Sequence, residues 1–291
     1  MSQVHEVSIV IDTYPNTRAI KEGELSSPAV KLNFTEYKPI SKAFDDMLQA
    51  EPPFDVCEMA LGTFLQALDA GKPVKLLPIV MGGEFHHGSI WYDPSRGAMS
   101  PSDLKGKRVG VRAYTQTTGL WVRGVLQEQF GVPSSEVTWV TTEAPHVAEY
   151  ACPSNVELAE GADLAEMVRQ GELAAVIMGS KQGGPKGLER LVPDVDGAIA
   201  QWYEKHHAVP VNHMVVASEK ADPEAVKEVF DLLRKGLEQA YPVAERKEPF
   251  ALQCGVDNVW SAVEMAMKYC VEQSLTSRVF TKDEVFGPFQ W

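Results

Sequence analysis

The chain has 291 residues, of which 44% are hydrophobic and 23% are charged, and these values exclude collagen, coiled-coil and disordered classes. Its 27 Lys and Arg residues against 40 Asp and Glu residues give a formal net charge of −13. Because no basic stripe is visible, we expect neither nucleic acid nor an anionic membrane surface as a partner. At roughly 150 residues per domain, the length predicts about two domains.

Short β-branched runs alternate with helical patterns along the chain, which is typical of an α/β architecture. We predict strands at 7–11, 30–37, 54–57, 75–80 and 89–92, a strand that ends at Val111, and strands at 137–140, 174–178 and 209–217. We predict helices at 41–50, 62–70, 117–130, 161–170, 223–241 and 256–273, and a short one from Thr281. Residues 12–18 are expected to form a loop.

No change of composition separates two sequential domains. Two lobes that share two hinge crossings, near 93–100 and 208–213, would explain this. Lobe one would comprise residues 1–93 plus 213–291, and lobe two residues 94–212. A ligand is then expected in a central cleft, where the carboxyl ends of strands and the amino ends of helices converge.

Sequence features also bear on the compartment. The first residues lack the basic and apolar regions of a secretory signal, and apolar runs such as 74–81 are too short to span a bilayer. We therefore expect a soluble, cytoplasmic protein. The spacing of the cysteines includes no CxxC and favours reduced thiols over a disulfide pair or a nucleophile at Cys57, Cys152, Cys254 and Cys270.

Five stretches resemble known families. Residues 100–111, SPSDLKGKRVGV, resemble the entry to the second lobe of type II periplasmic binding proteins, which have two α/β lobes around a hinge. Four others resemble the 4,5-dihydroxyphthalate decarboxylase family, cytoplasmic enzymes on that fold: YPNTR at 14–18, FHHGSIWY at 85–92, YTQTTGLWVRG at 114–124 and EQSLTSR at 272–278. The resemblance implies a two-lobed fold and a carboxy-lyase that acts on a hydroxylated aromatic diacid without an organic cofactor.

The chain departs from the family pattern at two places. Relatives carry Arg where this chain has His86, and the run from Thr115 to Thr118 is more polar than in the family. Both places are near the expected cleft, so the resemblance leaves the exact substrate open.

Decarboxylation of such a ring needs an acid that protonates the carbon bearing the carboxylate, and histidine is the usual choice near neutral pH. His87 aligns with a histidine of the family, and His213 lies at the second crossing. Either histidine is the candidate proton donor. Glu58, directly after a strand, or the other histidine would take the phenolic proton.

A second carboxylate on the substrate would be held by an arginine or by free amides at a helix start. The candidates are Arg18 after the first strand, Thr63, and the pair Thr117 and Thr118, which could alternatively be plain helix caps. His86 would add positive charge against the overall negative charge.

Two aromatic side chains, Tyr114 and Trp121, could stack on a substrate ring, although Trp121 could equally pack within its helix. His206 and His207 are expected on the surface, and the glycine-rich run at 179–187 reads as a loop rather than a phosphate site, because it lacks the GxxxxGK[ST] pattern. No metal site is expected, since no HxxxH or HxH spacing occurs around Glu84, His86, His87 and His213.

Two other functions remain open at this point. One is a solute-binding protein of an ABC transporter for a small carboxylate, which would share the fold. The other is a different cytoplasmic enzyme on this scaffold, resembling menaquinone-pathway lyases or thiamine-pyrimidine synthases. Self-association into a homo-oligomer is left open as well.

Overall fold

A computed structural model of the chain describes residues 4–179, 183–287 and 289. In chain order its strands and longer helices are β1 (His5–Val10), α1 (Pro15–Lys21), β2 (Val30–Phe34), α2 (Phe44–Met47), β3 (Val56–Ala60), α3 (Leu61–Asp69), β4 (Val74–Gly83), β5 (Ile90–Tyr92), β6 (Arg108–Val111), α4 (Thr117–Phe130), β7 (Thr138–Thr141), β8 (Val156–Leu158), α5 (Leu164–Gln170), β9 (Ala175–Ile177), β10 (Glu189–Arg190), α6 (Val195–His206), β11 (Val211–Ser218), α7 (Pro223–Ala240), α8 (Val256–Glu272) and α9 (Lys282–Phe286).

The chain divides into two compact units, each of which is discontinuous. Unit 1 comprises Met1–Gly83, Val211–Val263 and Phe280–Trp291, and unit 2 comprises Glu84–Pro210 and Glu264–Val279. Residues 84–93 and 264–279, which were assigned to lobe one from the sequence, group with unit 2. The reason is pairing: β5 joins β9, and the Gln273 side chain hydrogen-bonds Arg123.

Unit 1 is built on a sheet with the strand order β2-β1-β3-β11-β4. Strand β1 runs parallel to both β2 and β3, and β11 runs antiparallel to β3 and β4. Helix α7 begins after Asp222, whose carboxylate accepts hydrogen bonds from the amides of Glu224 and Ala225. Its apolar residues, such as Val229 and Leu233, pack into the core beneath the sheet.

Helix α1 lies against α7 in unit 1 at a glycine. A Cβ added to Gly236 would lie 2.3 Å from the backbone oxygen of Asn16, closer than real Cβ contacts. The absence of a side chain at Gly236 therefore sets how closely α1, and the residues it carries, approach the rest of unit 1.

Unit 2 has its own sheet, with the strand order β10-β5-β9-β6-β7-β8. Strand β6 is parallel to β7 and β9, while β5 and β10 add antiparallel strands at one edge. Its core includes Trp91, Val140, Val176 and Leu173.

The local signals predicted most elements. Helix α4 has the predicted bounds and ends at Gly131, which has the left-handed φ of 66°. The loop predicted at 12–18 is wrong in its second half, because Pro15 occupies the first position of α1. The helix predicted at 41–50 is instead a 3₁₀ turn, Ile40–Ala43, followed by the short α2.

Some elements were not predicted at all, namely β8, β10 and α6. The last of these ends at His206, and His207 follows with a φ of 47°. Of the glycine-rich run at 179–187, residues 180–182 lie outside the described residues. All four cysteines are free thiols, as expected.

Candidate active site

A buried carboxylate lies on the central strand of the unit 1 sheet. Glu58, in the middle of β3, is 0% exposed and accepts three hydrogen bonds. The amide of Asp12 donates to its Oε2 atom at 3.0 Å, whereas the Tyr14 hydroxyl and His213 Nδ1 both lie near Oε1, at 2.7 and 2.6 Å. We call Glu58, Tyr14 and His213 the Glu58 cluster.

The sheet brings these residues together from distant parts of the chain. Asp12 and Tyr14 follow β1, and β1 runs parallel to β3. His213 lies on β11, which is antiparallel to β3, and its partner in the register is Ala60. Because β1 and β11 lie on either side of β3 in the sheet, a carboxylate on β3 reaches donors from both neighbours.

The charge of Glu58 follows from its surroundings. Burial raises the pKa of the Glu58 carboxyl, but the hydrogen bonds that it accepts, led by the one from His213, outweigh burial, so its pKa lies below the usual value. Burial and the neighbouring carboxylate raise the pKa of Tyr14, so that hydroxyl stays protonated and donates. Glu58 is therefore an ionised acceptor at neutral pH.

An ionised carboxylate can only accept, so the proton of the shared hydrogen bond belongs to His213 Nδ1. The His213 side chain is 27% exposed, and its ring packs edge-on against Phe44 with 5.9 Å between centroids. Among the described residues, its Nε2 atom has no hydrogen bond. Glu58 thus fixes the orientation of the ring and leaves Nε2 open for proton transfer.

The other candidates of unit 1 follow the same strand ends. Arg18 is exposed and lies on α1, one turn after Tyr14. Thr63 is the third residue of α3, which follows β3 directly, and it is 3% exposed. The structure therefore brings Glu58 and His213 into contact and places Arg18 and Thr63 on the helices that follow β1 and β3.

In unit 2, His87 is held differently. Its Nε2 lies 3.0 Å from Gln129 Oε1, and the Gln129 amide nitrogen donates to the Ala198 carbonyl. That second bond fixes Oε1 as the acceptor, so His87 carries its proton on Nε2. Burial lowers the pKa of His87 to about 4, which makes the ring neutral at neutral pH. Its single proton is already donated to Gln129.

The remaining candidates lie within unit 2. His86 is 1% exposed. Thr117 and Thr118 are the first two residues of α4, and they are 4% and 9% exposed. The Tyr114 hydroxyl donates to the Gln273 carbonyl at 2.9 Å.

The rings of Tyr114 and Trp121, 2% and 0% exposed, are buried within unit 2. Trp121 packs edge-on against Trp202 and Tyr269. Stacking of either ring on a substrate would require a rearrangement of this unit.

His206, expected on the surface, has a side chain that is only 9% exposed. Its Nε2 lies 2.8 Å from Glu128 Oε1, and Lys205 and the Tyr269 hydroxyl also donate to Glu128. The ring stacks beside Trp202, with 4.6 Å between centroids. The expectation was wrong for His206 because α6, which was not predicted, turns this residue onto the rest of unit 2.

Sequence reasoning missed Tyr14 as a site residue. The signal was available, because Tyr14 opens the stretch at 14–18 that carries the resemblance. Its contact with Glu58 depends on the pairing of β1 with β3, which the sequence alone did not give.

Two open cavities in unit 2 lie elsewhere. One, of about 600 Å³, is lined by Lys107 and Arg108 at the amino end of β6. The other, of about 790 Å³, is lined by Glu189, Arg190 and Asp194. Ligands of parallel α/β sheets bind beyond the carboxyl ends of the strands, so the cavity at the amino end of β6 does not compete with the Glu58 cluster as a site of chemistry.

Within the described residues, no three His, Cys, Asp or Glu side chains are grouped as a metal ion would require. The same part of the chain contains no helix that is both long and apolar enough to cross a membrane.

No protein-family model matches this chain. It is 31% identical over 223 residues to a 4,5-dihydroxyphthalate decarboxylase of Comamonas testosteroni, an alignment that spans 72% of this chain and just under two thirds, 66%, of that relative. It is 33% identical over 212 residues to a 4,5-dihydroxyphthalate decarboxylase of Pseudomonas putida, spanning 68% of this chain and 81% of that relative.

Among solved structures, the chain resembles the periplasmic aliphatic sulphonate binding protein of Escherichia coli. The TM-score is 0.61 at 13% identity, over 100% of this chain and 94% of that one. At this identity the likeness concerns the fold, and it confirms the predicted α/β class and the type II periplasmic-binding-protein fold.

Proposed function

Because this chain belongs to the 4,5-dihydroxyphthalate decarboxylase family, we propose that it is a carboxy-lyase that removes one carboxylate from a hydroxylated aromatic diacid such as 4,5-dihydroxyphthalate. The observation that carries this proposal is the Glu58 cluster, in which a buried carboxylate orients a partly exposed histidine. The cytoplasm remains the predicted compartment.

The proposed reaction begins with proton transfer from Nε2 of the His213 imidazolium to the ring carbon that bears the leaving carboxylate. The hydroxyl para to that carbon donates electron density and keeps its proton, which gives a protonated, dienone-like intermediate. The bond to the carboxylate then breaks, CO₂ leaves, and the electron pair restores the aromatic ring. One proton is consumed for each CO₂ released.

Glu58 acts through His213. Glu58 is fully buried, and both of its oxygens already accept hydrogen bonds from Asp12, Tyr14 and His213, so we assign it as a positioning residue rather than as the acceptor of the phenolic proton. Its contact with Nδ1 holds the ring so that Nε2 can deliver the proton.

His213 is favoured over His87 as the donor for a physical reason. A general acid must be protonated near neutral pH and must reach its substrate. His87 is buried and neutral, and its proton is held by Gln129. We assign it a role in the packing and hydrogen bonding of unit 2.

The carboxylates of the substrate need local positive charge, since a net charge of −13 repels a dianion. We assign Arg18 to one carboxylate, because it is exposed on the helix that begins at the Glu58 cluster. The helix starts at Thr63 and at Thr117 and Thr118 remain the proposed amide sites, and His86 remains a proposed source of positive charge.

The test is turnover with a matched histidine control. Purified protein is incubated with 4,5-dihydroxyphthalate, and CO₂ release is measured together with the monocarboxylate product. We expect His213→Gln to lose at least about 100-fold in kcat, the usual contribution of general acid catalysis. Binding of phthalate, which lacks the activating hydroxyls, should persist.

His5→Gln is the control, because His5 is at the amino end of β1 and lies 3.6 Å from Asp222. Wild-type kcat in the His213→Gln protein would refute the assignment of the donor. Tight binding of the diacid by the wild type without any CO₂ release would instead favour the solute-binding function.

A further inference from the structure

One arginine in unit 2 is fully buried without a carboxylate partner. Arg123, in α4, is 1% exposed. Its Nε donates to the Gln273 side-chain oxygen and its Nη2 to the Tyr114 carbonyl, both at 2.6 Å. Both acceptors are neutral, and within residues 4–179 and 183–287 Arg123 forms no ion pair. The guanidinium stays charged in proteins, so unit 2 contains an uncompensated internal cation.

The third nitrogen of this guanidinium is unused. Nη1 is inaccessible to solvent and has no hydrogen-bond partner in the described part of the chain. It lies against the first turn of α4, because a Cβ added to Gly119 would be 3.0 Å from it. Rings of Tyr114 and Trp139, 4.1 and 5.3 Å from the guanidinium carbon, cover its faces but supply no anion.

The same turn contains free backbone donors. Helix α4 has 14 residues and no side-chain cap at its amino end. The amides of Thr118 and Gly119 have no acceptor among the described residues, whereas Leu120 already donates to the Gln116 carbonyl. The amides of Thr118 and Gly119 and the Nη1 atom of Arg123, which lies one turn further along α4, therefore lack an acceptor.

We propose that the amino end of α4 is a carboxylate subsite of unit 2, in which the amides of Thr118 and Gly119 bind the carboxylate that the substrate retains and Arg123 supplies the fixed counter-charge. This proposal rests on the proposed function, which provides a substrate with two carboxylates. The subsite goes beyond that function, because it makes Arg123 the residue that selects a diacid over a monoacid.

The retained carboxylate suits this place better than the leaving one. Strong donors stabilise a carboxylate and would oppose its conversion to neutral CO₂. A carboxylate that stays charged throughout is bound equally in the ground state and in the transition state. Loss of Arg123 should therefore raise KM far more than it lowers kcat.

The experiment compares phthalate with benzoate, which has one carboxylate less, by isothermal titration calorimetry. Wild-type protein should prefer phthalate. Arg123→Met should weaken phthalate binding by about tenfold or more, as expected for a lost charge-assisted contact, and should bring the phthalate-to-benzoate ratio toward one. Arg108→Met is the control, because Arg108 is exposed in the same unit and pairs with Glu157.

A second pair of variants covers the case in which Arg123→Met does not fold. Thr118→Pro removes one amide hydrogen in the first turn of α4, where the amides have no acceptor within the helix, and Asp196→Pro makes the same change at the second residue of α6. We expect weaker phthalate binding in the first and near wild-type binding in the second.

Phthalate binding that is unchanged in folded Arg123→Met, or equal in the two proline variants, would overturn the subsite. Failure of the proposed function appears separately, as wild-type protein that binds phthalate but releases no CO₂ from the dihydroxylated diacid.

Discussion

The replacement Glu58→Gln tests the central arrangement, because it keeps the shape of the side chain and removes its charge. The carboxylate accepts from Tyr14 and His213 on one oxygen and from the Asp12 amide on the other. A glutamine offers one carbonyl oxygen and one NH₂ group, so it either turns the NH₂ group towards the Asp12 amide or takes away the acceptor that Tyr14 and His213 share.

An unpaired buried donor costs about 1–3 kcal/mol. We expect Glu58→Gln to lose about that much unfolding free energy at pH 7, and not the larger cost of a stranded buried charge, because His213 is 27% exposed and can be hydrated. The imidazole also loses its orienting partner, so kcat should fall about 100-fold or more.

The pH dependence gives a second readout. The pKa of Glu58 is lower in the folded protein than its usual 4.5. The folded state therefore binds fewer protons than the unfolded state below that value, and the stabilisation is present above about pH 4.5 and lost as the pH falls. The stability difference between wild type and Glu58→Gln should shrink as the pH falls below 4.5.

Urea denaturation at pH 7 and in the acid range, together with steady-state kinetics, measures both effects. Equal kcat in the two proteins, or a stability difference that does not change with pH, would refute the reasoning that Glu58 is an ionised partner of His213.

Two further predictions concern the packing around the candidate residues. Burial lowers the pKa of His87 from 6.5 to about 4, so as the pH falls the unfolded chain binds a proton before the folded protein does, and wild-type stability should fall by up to about 3 kcal/mol between those pH values. In urea titrations, the stability of His87→Gln should depend less on pH over this range. The same pH dependence in both proteins would contradict the burial of a neutral ring. Gly236→Ala should destabilise unit 1 by about 1–3 kcal/mol and lower kcat, because the new methyl collides with α1, which carries Arg18. Lys235→Ala, at the exposed neighbouring position, should change neither stability nor kcat. Equal melting temperatures for the two variants would show that the contact at Gly236 does not hold α1 in place.

Elements with strong local signals were predictable. Helix α4 was located from its apolar spacing and from Gly131, whose left-handed conformation stops the helix through backbone geometry alone. Helix α6 escaped prediction because only Trp202 is buried along it, so its sequence has no continuous apolar stripe.

The candidate site was predictable as a set of residues but not as an arrangement. Glu58 and His213 were both chosen from the sequence, yet 155 positions separate them, and only the pairing of β3 with β11 brings the carboxylate to the imidazole. Tyr14 was not chosen, because nothing local shows that its hydroxyl reaches Glu58.

The sequence by itself determined the α/β class, most helix boundaries and the family, since caps, periodicity and short motifs are properties of neighbouring residues. Only the tertiary structure decided which histidine contacts a carboxylate and which one is buried as a neutral ring. His87 and His213 are the same chemical group, and burial beside Gln129 makes one neutral, whereas contact with an ionised Glu58 orients the other. Solvation and charge act through space, and their effect is fixed only when distant segments pack together.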